Sequence, residues 1–144
     1  ADRAEEIGWT GAGMSFVLGG VIGTLLAIFP HVWIPVFTDD PMVYETAKGF
    51  IQIVGPCLAI HGVGWALYFA SQGAGAMRGP VAALIARPIV AIGTAFLLLG
   101  PMDMGMTGVF IGAVSGMFAY TVIVTASMKG GAWRRQILAS PAQT

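Results

Sequence analysis

Charged side chains are so widely spaced along this chain that they leave four long uncharged runs. Between Glu6 and Asp39 lie 32 residues without Asp, Glu, Lys or Arg; Lys48 to Arg78 encloses 29, Arg87 to Asp103 15, and Asp103 to Lys129 25. A helix crossing roughly 30 Å of hydrocarbon needs about 20 apolar residues. Three of the runs are long enough as they stand. The third rises only about 22 Å, so its helix must begin ahead of Arg87, near Pro80 to Ala83. Arg87 then sits one or two turns inside the boundary, where its long stem lets the guanidinium snorkel to the headgroups. The runs are continuous rather than alternating, which excludes β-barrel spans. The expected fold class is an all-α membrane protein with four transmembrane helices, over about 13–37, 47–72, 81–101 and 106–128, and a cytoplasmic tail over 129–144.

Composition excludes the rival classes. Only 10% of the residues are charged, 56% are hydrophobic and the mean hydropathy is +0.80, so polar groups cannot cover the surface in water. Zero net charge and the lack of a Lys/Arg cluster exclude a nucleic-acid binder and a charge-rich disordered chain. The single Cys57 excludes a disulfide framework, and two isolated histidines leave no metal site in prospect. No nucleotide-binding loop and no Ser/His/acid set is present, so the reading is of a non-enzymatic chain without cofactor.

The connections punctuate the spans. Thr38-Asp39-Asp40-Pro41 reads as a helix stop followed by a capped restart, and Gly73 to Pro80 as the break before the third helix. Gly100-Pro101-Met102-Asp103-Met104-Gly105 reads as a tight turn, and Lys129-Gly130-Gly131 as the last stop. Arg3, Arg78, Lys129, Arg134 and Arg135 fall on one side, with Arg87 snorkelling the same way; the other side carries Lys48 beside Asp39, Asp40, Glu45 and Asp103. The positive-inside rule places both ends in the cytoplasm, in a cytoplasmic (inner) membrane, with Trp9 and Trp133 at the inner interface and Trp33 and Tyr44 toward the outer one. The start Ala1-Asp2-Arg3-Ala4-Glu5-Glu6 reads as an intracellular loop running into a helix, so the chain is expected to be a fragment.

The second helix carries the most informative face. Cys57, His61, Trp65, Tyr68 and Gln72 recur at intervals of 4, 4, 3 and 4 and share one stripe. Imidazole, phenol and amide each need a partner in hydrocarbon, so this stripe faces other helices or a wet cleft. Two readings stand side by side. In one, His61, Trp65, Tyr68 and Gln72 line a substrate pathway, the aromatics stacking on a flat or cationic ligand and His61 carrying a proton. In the other they are helix–helix glue. Pro56, one turn before His61, should loosen or kink the helix. His31, bracketed by Pro30 and Pro35 near the outer boundary, reads as a solvated interfacial histidine. Gly108, Gly112 and Gly116 form a ridge for close helix packing, with a shorter one at Gly19 and Gly23. Arg87 either snorkels or meets a carboxylate or lipid phosphate. No span contains Asp or Glu.

Four strings then acquire a common meaning: Phe37-Thr38-Asp39-Asp40-Pro41 with Val43 and Ala47, Gly55-Pro56, Tyr68 through Gly75 (YFASQGAG), and Gly105-Met106-Thr107-Gly108-Val109-Phe110. In this order and spacing the chain resembles the C-terminal lobe of the multidrug and toxic compound extrusion (MATE) family, from the loop before the ninth helix through the twelfth. The resemblance implies a twelve-helix antiporter of two six-helix lobes that rocks between outward- and inward-open states. It would export drugs and other organic cations in exchange for H⁺ or Na⁺. The partners implied are the lipid bilayer, the remaining eight helices and small amphipathic or cationic substrates. Some family branches carry an acidic residue on the tenth helix; here that helix has none, so the coupling ion is expected to bind mainly outside this fragment. Two alternatives remain in view. A lipid-linked saccharide flippase of the same superfamily would need more Arg and Lys than Arg87 to hold pyrophosphate. A four-helix membrane scaffold subunit would need the polar stripe paired within itself or across a homo-oligomer.

Overall fold

Proline decides where the first helix stops. In the computed structural model, which describes residues 2–130 and 135, α1 (Asp2–Ile28) begins eleven residues ahead of the expected span and stops nine short of it. Its polar first turns stay helical, and the Thr10 hydroxyl donates to the Glu6 carbonyl at 2.9 Å. At the far end Pro30 has no N–H to give the Leu26 carbonyl and crowds the residue before it. Phe29 leaves the helical region at φ −114°, ψ 52°, and Pro30 starts a single turn, α2 (Pro30–Trp33), followed by a 3-10 turn at Ile34–Val36. The carbonyl abandoned at Leu26 is not left orphaned, because the Trp33 indole N–H donates to it at 3.1 Å. The expected helix over 13–37 is therefore corrected to a helix, a break and a folded-back cap.

The second span is broken as well. Asp40 caps α3 (Pro41–Val54), its carboxylate accepting from the Met42 N–H at 2.8 Å and the Val43 N–H at 3.3 Å. α4 (Leu58–Gly73) follows after Gly55-Pro56-Cys57, and the two axes differ by 65°. Pro56 supplies no N–H to the Gln52 carbonyl, which is why the ladder parts here. α1 packs on both halves of the bend and meets it at backbone distance. A Cβ at Gly23 would land on the Gly55 carbonyl oxygen, and one at Gly19 would lie 2.8 Å from the Leu58 oxygen.

α5 (Arg78–Leu99) and α6 (Gly105–Lys129) form an antiparallel hairpin. Its turn places Asp103 at φ 48° and Gly105 at φ 56°, left-handed conformations that Asp and Gly tolerate best. Along α6, Gly108 faces Leu98, Gly112 faces Ala91 and Ala95, and Gly116 faces the Arg87 carbonyl; Cβ atoms there would meet neighbours at 2.7–3.0 Å. The α1–α4 pair joins the α5–α6 pair through α4 packed on α6. Leu67, Tyr120, Val124 and Met128 are buried at that seam. Among the described residues three helices are long and apolar enough to cross a membrane, and the bent α3–α4 pair makes a fourth if it is one span. The Lys129 ammonium lies 5.2 Å from the Trp9 ring centroid, so α1 starts and α6 ends at the same end of the bundle. Trp133, Arg134 and most of the 129–144 tail lie outside the described residues.

Candidate functional site

The site grows out of the break. Freed from α3 at Pro56, the chain restarts as α4, and the His61 N–H returns to the Cys57 carbonyl at 3.0 Å. Glycine on either side lets neighbouring helices close on this turn. A Cβ at Gly62 would lie 2.9 Å from the Ser15 carbonyl of α1, and one at Gly64 2.8 Å from the Tyr120 ring of α6. The Thr121 hydroxyl bridges the same seam, 3.1 Å from the Ile60 carbonyl and 3.0 Å from that of Met117 in its own helix. His61 is thus clamped between three helices and only 7% exposed.

Its surroundings are aromatic. The Trp65 indole N–H donates to His61 Nε2 at 2.9 Å, one turn along the same face. The Tyr120 ring stands 5.6 Å from the His61 ring and 5.9 Å from that of Trp65, and Trp65 meets Tyr68 edge-on at 5.6 Å. Phe69 closes the group at 5.8 Å from Trp65. Two buried polar atoms in this cluster have no hydrogen-bond partner: His61 Nδ1 and the Tyr120 hydroxyl. Trp65 is 36% exposed, so the cluster runs from a sealed end at His61 and Tyr120 to an open edge at Trp65.

Of the five residues of the sequence stripe, the structure brings His61, Trp65 and Tyr68 into one ring cluster. Gln72 is exposed on the last turn of α4, outside it. Cys57 is half-buried at the break, its thiol 3.5 Å from the Ile53 carbonyl and engaged there rather than with His61. Among the described residues no group of His, Cys, Asp or Glu could hold a metal ion. Tyr120 is the member that the sequence reading missed. No spacing marks it, since the ridge Gly108-Gly112-Gly116 faces α5 whereas Tyr120 packs on His61 of α4.

The sequence that builds this buried polar turn matches a known family. The family model described as MatE matches residues 1–97. The chain belongs to the MatE family. The matched stretch contains α1 to α4 and most of α5, and with them His61, Trp65, Tyr68, Gln72 and Arg87, while Tyr120 lies beyond it. Over 130 residues this MatE chain is 22% identical to the Probable multidrug resistance protein NorM of Thermotoga maritima, an alignment covering 90% of the chain and 27% of that protein. The chain therefore spans about a quarter of the length of the curated relative it matches. No solved structure matches. A MatE chain with this many apolar helices is a multi-pass membrane protein.

Proposed function

We propose that this chain forms four helices of the C-terminal lobe of a secondary efflux antiporter. The whole protein would export drugs and organic cations in exchange for H⁺ or Na⁺. The buried cluster of His61, Trp65, Tyr68 and Tyr120 carries the reading. Unmet polar atoms inside an apolar bundle are expensive and mark a place where something else is bound. Membership of the MatE family supports a transport role, and the multidrug resistance relative supports amphipathic compounds as cargo. Trp65 and Tyr68 offer stacking faces at the open edge, and Gln72 an amide at the rim. His61 is the sole imidazole on α4 and the group best placed to carry a proton there, with Trp65 and Tyr68 on its own helix and Tyr120 on α6 packed against it. No carboxylate lies on α4, α5 or α6, so cation coupling would rest on His61 or on helices outside this chain.

The test is flux in liposomes reconstituted with the full-length transporter, using a fluorescent organic cation against an imposed pH gradient. His61→Gln keeps a hydrogen-bonding side chain and removes the titration. A fall of about tenfold or more in gradient-driven flux, with facilitated exchange at zero gradient retained, is expected if His61 carries the proton. Unchanged coupling in that variant would remove His61 from this role and move it to the helices outside the chain.

A further inference from the structure

The free face of α3 is polar from its start to the break. Pro41, Glu45, Lys48 and Gln52 recur at intervals of 4, 3 and 4, which puts them on one side of a helix, and Pro56 follows in the break itself. α6 and α1 flank this side without covering it. α6 closes on α3 at Gly49, where a Cβ would lie 3.5 Å from the Phe110 ring, and α1 meets the chain at Gly55, against the Gly23 carbonyl. Between them Pro41, Glu45, Gln52 and Pro56 are exposed and Lys48 is half-buried. The stripe holds no Val, Ile, Leu, Met or aromatic side chain, whereas Val43, Ala47 and Phe50 occupy the opposite side.

Depth gives the stripe its meaning. With α3 and α4 taken as one bent span, Glu45, Lys48 and Gln52 stand four, seven and eleven residues in from Pro41. At 1.5 Å per residue these are roughly 6, 10 and 16 Å, the last near the middle of a hydrocarbon layer about 30 Å thick. An exposed amide at that depth is not matched by acyl chains, and neither is the Gln52 carbonyl that Pro56 deprives of its N–H. A helix is a poor cover too. Glu45 and Lys48 pair at 3.6 Å with the Glu45 side chain 68% exposed, and a helix laid over them would strip the pair of water. Membrane helices meet on small residues, and the stripe offers none. Water suits every group on it. At the deep end the last carbonyls of α3 carry the negative end of the helix dipole, and the Gln52 amide oxygen adds an acceptor, a combination that favours a cation.

We infer that Glu45, Lys48 and Gln52 line a water-filled arm that enters from the Pro41 end and stops at the Pro56 break, and that small hydrated cations reach the middle of the membrane through it. The arm rests on the transporter reading and deepens it. It gives a coupling ion its own approach, on a different half-helix from the aromatic edge at Trp65 and Tyr68.

The test is spin-label accessibility in the full-length protein, freed of its native cysteines and held in nanodiscs of neutral lipid, where both faces meet the reagents and the protein samples its states. Nitroxides on Gln52→Cys and Glu45→Cys are compared with one on Ile89→Cys, an exposed apolar site midway along α5. A neutral water-soluble nickel chelate reports water, and oxygen reports hydrocarbon. The nickel-to-oxygen collision ratio at both α3 sites is expected to exceed that at Ile89 by about tenfold or more, because polar solutes are scarce in hydrocarbon. Frequent oxygen collisions with few from nickel at Gln52 would put the face against lipid, and low rates for both would put another helix over it; either overturns the arm. Cation preference is read by replacing the chelate with aqueous Ni²⁺ and with anionic chromium oxalate. Glu45→Gln uncovers Lys48, about 6 Å up the face, and should lower the cation-to-anion ratio at Gln52 by about threefold. An unchanged ratio overturns the cation assignment. Collisions need no transport, so a wet Gln52 in a protein that fails to couple flux to a gradient keeps the arm and removes the antiporter reading. A dry Gln52 in a coupled transporter removes the arm alone.

Discussion

At the scale of single residues, Tyr120 concentrates the tension in this protein. Its ring is fully buried and packs against His61 and Trp65, yet its hydroxyl has no partner. Burying an unmet hydroxyl costs about 1–3 kcal/mol, so Tyr120→Phe should raise the stability of the detergent-solubilised protein by about 1 kcal/mol. Thermal unfolding checks this, and a lowered midpoint would show that the hydroxyl is bonded after all. The stripe of His61, Trp65 and Tyr68 was legible in the sequence because a helix fixes which of its own residues share a face. Tyr120 was not, because spacing along one helix says nothing about which helix it meets. Arg87 was legible as a charge, but its depth depended on where α5 begins, and α5 begins at Arg78 rather than near Pro80 to Ala83.

At the scale of elements, proline and glycine divide the work. The sequence marked Pro56 as a loosening point and the structure turns it into a 65° break. Its depth came from a partner that sequence could not name, the α1 backbone at Gly19 and Gly23. The end of α1 was misjudged for a related reason. An uncharged run sets how much chain can enter the membrane, whereas the helix ends where Pro30 withholds its N–H from Leu26. Gly23→Ala should therefore be severe, costing about 3 kcal/mol, since its methyl would meet backbone rather than a yielding side chain. Gly20→Ala, one turn away, meets only the Ala59 methyl at 3.3 Å and should cost far less. Denaturation midpoints of the two variants in the same detergent decide it; equal losses would mean that α1 does not seat in the bend.

At the scale of the whole molecule, the chain returns to the end it started from, with Trp9 and Lys129 side by side, as four crossings require with the bent α3–α4 pair as one span. The excess of Lys and Arg at that end leads to a definite expectation. A cysteine placed at Gly130 should be labelled by a membrane-impermeant maleimide only after the cells are permeabilised, and one placed at Asp103 should be labelled in intact cells. The reverse pattern would invert the topology and the direction of any pathway through it. That the chain holds three to four apolar spans was legible from charge spacing, since runs this long and apolar need a hydrocarbon layer to house them. How the spans pair was not: glycine spacing announced close contact, and the structure shows that α5 supplies it to α6 while α4 receives α1.

The bend in the second span has a mechanical consequence. A straight helix on a glycine track can slip lengthwise past its neighbour like a drawer on its runner. A crooked one cannot, once another helix is seated against both its halves, because a lengthwise slip carries the Ala27 methyl, one turn on along the same face of α1, toward Gly55. α1 and the bent span are in effect keyed together. The smooth glycine track of α6 against α5 has no such key. The easy directions of movement in this piece of the molecule therefore run along one seam and are barred along the other, and His61 and Tyr120 sit where the keyed part meets the sliding one.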